Sequence, residues 1–70
     1  MISYEPFWRT LKSRGISQYA LINKNEISGE TLSRLKNNKY VGTATIEKLC
    51  KILDCNVQDI LIYIPDEEDS

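Results

Sequence analysis

The sequence predicts an all-α fold, a compact five-helix domain that leaves room for short terminal strands at about 2–4 and 61–64. Three observations predict it. Apolar residues recur at i, i+3, i+4 and i+7 along most of the chain, which is the spacing of one helix face. Residues suited to helix N-caps stand before the periodic stretches. The connections are short, so the helices must pack as a compact orthogonal set rather than as a long bundle.

The first helix runs from Glu5 to about Arg14, with Tyr4, Phe7, Trp8 and Leu11 on one stripe. Pro6 suits its first turn, where a missing N–H is no loss. Gly15 reads as a left-handed stop, behind the cations Lys12 and Arg14 at the negative end of the helix. Trp8 is expected in the core. Ser17 caps a second helix, Gln18 to about Lys24, with Leu21 and Ile22 apolar. Asn25 and Glu26 form the next turn, and asparagine tolerates the left-handed conformation. Ser28 caps a third helix, Gly29 to about Asn37, with Leu32 and Leu35 apolar. After the polar loop 37–42, Thr43 is expected to cap a fourth helix, Ala44 to Leu53, carrying Ile46, Leu49, Cys50 and Leu53. Asn56 caps a fifth, with Asp59 placed to reach back in a capping box. The β-branched and aromatic run Leu61-Ile62-Tyr63-Ile64 can leave as a strand and pair with Ile2-Ser3-Tyr4.

Composition excludes several functions. The chain has 70 residues and a formal charge of −1, with 41% hydrophobic residues, an ordinary globular balance. It has no apolar run of about 18 residues. Its N-terminus lacks a basic segment followed by an apolar one. The expectation is a cytoplasmic protein without membrane contact. There is no histidine, the commonest general base and metal ligand. Cys50 and Cys55 alone cannot close a tetrahedral zinc site, and cytosolic thiols stay reduced. Cys50 reads as a small core hydrophobe. A redox pair would be spaced five apart rather than as C-x-x-C. Such a short chain buries only roughly 60% of its unfolded surface, which leaves little for a strained pocket. With no nucleophile–base pair and no glycine-rich phosphate loop, an enzyme is not expected, and no cofactor, metal or small-molecule ligand is implied.

The net charge conceals a division. Residues 66–69 are four consecutive acids, so residues 1–64 carry nine cations against six anions, a net +3. The expected organisation is a mildly basic folded domain over 1–65 and an acidic flexible tail over 66–70.

On a helical wheel at about 100° per residue, Leu32 and Leu35 of the third helix fall within about 60° of each other. Gly29, Glu30, Ser33, Arg34 and Asn37 spread over about 140° on the opposite side. A wide polar face of this kind is either plainly solvated or suited to the major groove, where base edges offer donors and acceptors. Gln18 begins the preceding helix, whose free N–H groups favour a phosphate. Lys36, Asn37, Asn38 and Lys39 end the third helix and can position a protein on phosphates. Tyr40 can touch a phosphate or pack, and Tyr19 is similarly open.

The run Ser17-Gln18-Tyr19-Ala20-Leu21 through Ile27-Ser28-Gly29-Glu30-Thr31-Leu32-Ser33-Arg34-Leu35-Lys36-Asn37-Asn38-Lys39 resembles the Cro/CI-type helix-turn-helix domain, the lambda-repressor-like XRE group. The run Thr45 to Cys55 resembles that family's fourth helix, and the two ends resemble a short single-domain subgroup of bacterial and mobile-element regulators. The resemblance implies sequence-specific binding to duplex DNA by the third helix in the major groove. It assigns a phosphate contact to Gln18, base reading to Gly29, Glu30 and Arg34 with Ser28 and Ser33 bordering them, and a backbone contact to Asn37. Four positions depart from the family pattern. Ile22 stands where a small residue is usual, and Glu26 replaces the turn glycine. Gly29 brings no side chain, and Glu30 is acidic.

The leading expectation is therefore a small transcriptional regulator, a repressor acting by occupancy. Base readout would come from Ser28, Gly29, Glu30, Ser33 and Arg34. Phosphate contacts would come from Gln18, Lys36, Asn37, Asn38, Lys39 and Tyr40. A homodimer on a pseudo-palindromic operator would supply enough contacts, with exposed residues of Ile60 to Ile64 as the candidate interface unless they pack on the first helix. The alternative is a protein-interaction module of anti-repressor or toxin-partner type on the same fold, which the net charge and Glu30 favour.

Overall fold

Four of the five expected helices form, and the fifth stops after one turn. The computed structural model describes residues 1–66. The elements are β1 (Ile2–Ser3), α1 (Glu5–Ser13), α2 (Gln18–Lys24), α3 (Gly29–Lys36), α4 (Thr43–Leu53), a 3-10 turn (Val57–Asp59) and β2 (Ile62–Tyr63). The acidic tail beyond Asp66 lies outside the described residues.

The fifth helix is replaced by the 3-10 turn for a local reason. Asn56 and Asp59 close a reciprocal capping box, with the Asn56 N–H donating to Asp59 Oδ2 at 3.0 Å. The chain then drops Ile60 into the core. The Ile60 carbonyl accepts from the Phe7 N–H at 3.1 Å, and Thr10 Oγ1 donates to the Asp59 carbonyl at 2.9 Å. Those bonds hold the end of the turn against α1, and the chain departs from the helical path there. The chain leaves as β2, antiparallel to β1 in the register Ile2 to Tyr63 and Ser3 to Ile62. The strand is shorter than 61–64, and the N-terminal ammonium extends the pairing by donating to the Ile64 carbonyl at 2.7 Å.

The core takes its side chains from every helix: Phe7 and Leu11 from α1, Leu21 from α2, Leu32 and Leu35 from α3, and Ile46, Leu49 and Leu53 from α4. Tyr4, Ile27 and Ile60 complete it. Trp8 lies at its edge rather than inside. The indole is half-buried and meets Phe7 edge to face, with ring centroids 4.8 Å apart. Cys50 is also half-buried, because the groove beside α4 leaves one side of it open. Ile22 needs no accommodation, since it points outward and is exposed. The register that buries Leu21 turns its neighbour away.

The caps show which local signals prevailed. Ser17 accepts from the Ala20 N–H, and Ser28 from the Thr31 N–H, each at 3.0 Å. Thr43 does not cap α4. Gly42 holds the extended cap conformation (φ −70°, ψ 155°) and Thr43 is already helical, because Val41 packs against the core and brings the chain to the helix one residue sooner. In the turn between α2 and α3 the left-handed residue is Glu26 (φ 58°), not Asn25. The Asn25 side-chain amide donates instead to the Ala20 carbonyl at 3.3 Å. The Ile27 N–H returns to the Leu21 carbonyl at 3.0 Å, so burying Ile27 imposes the turn, at a cost of about 1–2 kcal/mol for a non-glycine residue.

Candidate nucleic-acid interface

The third helix is held from inside and capped at both ends, which leaves its outer side free. Leu32 and Leu35 are buried, at 4% and 0% exposure. Ser28, Gly29, Glu30, Ser33 and Arg34 are all exposed along the opposite side. The Ser28 hydroxyl both accepts from the Thr31 N–H and bonds the Thr31 hydroxyl at 2.9 Å. Loss of this cap in Ser28→Ala is expected to lower stability by about 1 kcal/mol. Urea unfolding beside Ser33→Ala, which removes no hydroxyl bond, checks it. Equal midpoints for the two variants would show that the cap contributes nothing.

A Cβ added at Gly29 would meet nothing within 4 Å. Packing therefore does not demand glycine there, and the start of α3 presents bare backbone. One turn further on, Arg34 Nη2 donates to Glu30 Oε1 at 2.6 Å, with the two side chains 49% and 73% exposed. The pair lies along the helix surface, and among the described residues it touches no other charged group within ion-pair distance. An exposed i,i+4 pair is worth about 0.3–0.5 kcal/mol, so a stronger acceptor can take the guanidinium from Glu30 readily.

The far end of α3 gathers Lys36, Asn37, Asn38, Lys39 and Tyr40, all exposed. Their side chains are not equally free. Asn37 Nδ2 folds back onto the Ser33 carbonyl at 2.9 Å. Asn38 adopts a left-handed conformation (φ 53°), and its Oδ1 accepts from the Tyr4 N–H at 3.0 Å. Asn38 is thus a structural tie between the end of α3 and the start of α1. The only sequence signal for it was asparagine's tolerance of that conformation at a helix end. The Lys39 N–H closes the cap on the Arg34 carbonyl at 2.8 Å. Lys36 and Lys39 form no ion pair among the described residues. Tyr40 is 83% exposed.

Gln18, the first residue of α2, is exposed as well. Tyr19 and Ile22 are further exposed side chains of α2. Among the described residues, no group of three or more His, Cys, Asp or Glu side chains could hold a metal ion, and no helix is long and apolar enough to cross a membrane.

Two short capped helices joined by a tight turn, the second with its polar side outward, define a helix-turn-helix domain. Residues 7–66 match the Cro/C1-type HTH DNA-binding domain, and the chain belongs to that family. The fold is lambda-repressor-like. It is similar to the crystal structure of transcriptional regulator VanUg, with a TM-score of 0.82 and 26% identity over 93% of this chain and 87% of that one. A comparison with curated proteins finds no match. The chain is accordingly an HTH DNA-binding domain of the transcriptional-regulator type.

Proposed function

We propose that this domain recognises a specific duplex sequence, with α3 and its flanks (28–37) in the major groove, and represses transcription by occupying its operator. The observation that carries this reading is the outward polar side of α3, where Arg34 and Glu30 stand exposed and paired to each other. Arg34 is the principal reader, offering its fork to guanine O6 and N7. Glu30, once released, accepts from a cytosine amino group. Ser28 and Ser33 border these contacts, and Gly29 lets the backbone come close. Gln18, Lys36, Asn37, Lys39 and Tyr40 hold the phosphates. Asn38 contributes only through its amide nitrogen, because its oxygen is engaged by Tyr4.

Lys36→Ala and Lys39→Ala are each expected to lower the slope of log affinity against log salt by about one. They should do so on specific and random duplexes alike. Titrations between low and moderate salt read this directly, and an unchanged slope removes the lysine concerned from the phosphate contacts.

Two copies on a pseudo-palindrome, with half-sites about one helical turn apart, supply the contacts that one small domain lacks. Ile60 belongs to the core and cannot join them, but Ile62, Tyr63 and Ile64 are exposed on and beside β2. We place the contact between copies along that strand. The overall test is selection of random duplexes by the purified protein, followed by sedimentation with the winning duplex. A two-fold motif bound by two copies supports the proposal. A single half-site bound by a monomer removes the dimer. Absence of any sequence preference, with a protein partner co-purifying, favours the interaction-module reading instead.

A further inference from the structure

Three helices of this domain end in the same way. A residue with positive φ follows the helix, and the N–H of the next residue returns to a carbonyl five positions back. After α1 these are Gly15 (φ 69°) and the Ile16-to-Leu11 bond at 3.2 Å. After α3 they are Asn38 (φ 53°) and the Lys39-to-Arg34 bond at 2.8 Å. After α4 they are Asp54 (φ 51°) and the Cys55-to-Cys50 bond at 3.0 Å. This is the Schellman cap, in which the side chains of the two hydrogen-bonded residues frequently meet. At α1 those residues are the apolar pair Leu11 and Ile16. At α4 they are Cys50 and Cys55, whose thiols lie close enough to interact.

The α4 cap is held from outside as well. Arg14 Nε donates to the Leu53 carbonyl at 2.9 Å, and Arg14 Nη2 donates to the Asp54 carbonyl at 3.0 Å. Cys50 and Cys55 are both free and half-buried. Both line one open, mainly apolar groove of about 560 Å³ between α4 and the 3-10 turn, beside Ile46, Val57 and Leu61. A small reagent can therefore reach them, and the backbone that carries them is fixed.

We propose that Cys50 and Cys55 form a dithiol site for low-molecular-weight disulfides, closing reversibly to an intramolecular disulfide. One cysteine thiolate attacks a sulfur of the small disulfide, forming a mixed disulfide and releasing one small thiol. The second cysteine attacks the protein sulfur of that mixed disulfide and releases the other small thiol. The protein dithiol loses two electrons and two protons, and the small disulfide gains both. Closure fastens the end of α4 to the segment leading into the 3-10 turn. It would be the transient kind of disulfide that reducing compartments permit. Burial, together with the Cys50 thiol and Asp59, pushes the Cys55 thiol above its ordinary range, against a smaller opposing effect of Arg14.

The experiment exposes the intact protein to oxidised glutathione, native and in urea, and counts free thiols by alkylation and intact mass. The native chain is expected to end two hydrogens lighter, monomeric, with no alkylatable thiol. Cys50→Ser and Cys55→Ser should each stop at a mixed disulfide. The closure constant should be at least about tenfold larger in the native chain than in urea, or about 30 mV in potential. By linkage the oxidised chain must gain the same factor in its folding equilibrium. Equal constants in the two states, a native chain that stops at the mixed disulfide, or disulfide-linked dimers would each overturn the proposal. None of these readouts requires DNA, so the outcome is independent of the proposed operator binding.

Discussion

Arg34→Ala is expected to cost about 1–3 kcal/mol of discrimination at one base pair, a factor of about 5 to 150 in relative affinity. Binding to random duplexes should weaken far less. The reason is geometric. A guanidinium offers two parallel donors to guanine, and no other side chain on the exposed side of α3 has that fork. Folding should be unaffected, because the side chain is about half exposed and its partner is the surface residue Glu30. Truncation also leaves the Glu30 carboxylate unpaired beside the phosphates, which adds a repulsion unrelated to readout. Glu30→Ala and the double variant Glu30→Ala/Arg34→Ala complete the mutant cycle that separates the two terms. Arg34→Lys keeps the charge and removes the fork, so it should retain general affinity and lose the preference. Competition titrations with the selected duplex and its single-base variants read all five proteins, the wild type included. If Arg34→Ala keeps the wild-type ranking of duplexes, another residue reads the base.

Phe7→Ala is expected to destabilise the fold by about 3–5 kcal/mol. At about 0.05–0.15 kcal/mol per residue, that is a large share of what a domain of this length possesses. Phe7 is fully buried, at 0% exposure, and its ring meets Trp8 edge to face. Its own N–H holds the Ile60 carbonyl at 3.1 Å, so the core and the closing 3-10 turn meet at this residue. The backbone bond survives the substitution, while the ring's contacts do not. Leu32 and Leu35 anchor α3 in the same core, so duplex binding should fall together with the folded fraction. Urea unfolding with far-ultraviolet circular dichroism measures the loss. A change below about 1 kcal/mol would mean that the surroundings collapse into the space, contrary to the usual behaviour of tightly packed interiors.

Neighbouring residues carried the information for much of this domain. Ser17, Ser28 and Asn56 cap where their side chains and the following apolar spacing place them. Gly15 stops α1 because it alone takes a positive φ without strain. The division of α3 into a buried Leu32–Leu35 seam and an exposed polar side follows from helical geometry. These signals act within one turn of chain, and the ordered run from Ser17 to Lys39 that carries the family pattern strings several of them together.

Tertiary structure decided what depends on how the helices meet. Arg14 reads locally as a cation at the end of α1, yet its guanidinium caps the carbonyls of Leu53 and Asp54. Asn38 reads as a phosphate ligand, yet its oxygen holds the N–H of Tyr4. Glu26 takes the strained turn conformation because Ile27 must reach the core. The last helix stops after one turn, where Ile60 enters the core and α1 binds the Asp59 and Ile60 carbonyls. Helix propensity, capping and periodicity are properties of short segments. A hydrogen bond between residues 34 or 39 positions apart depends on the angle at which two helices cross, and only the packed core sets that angle.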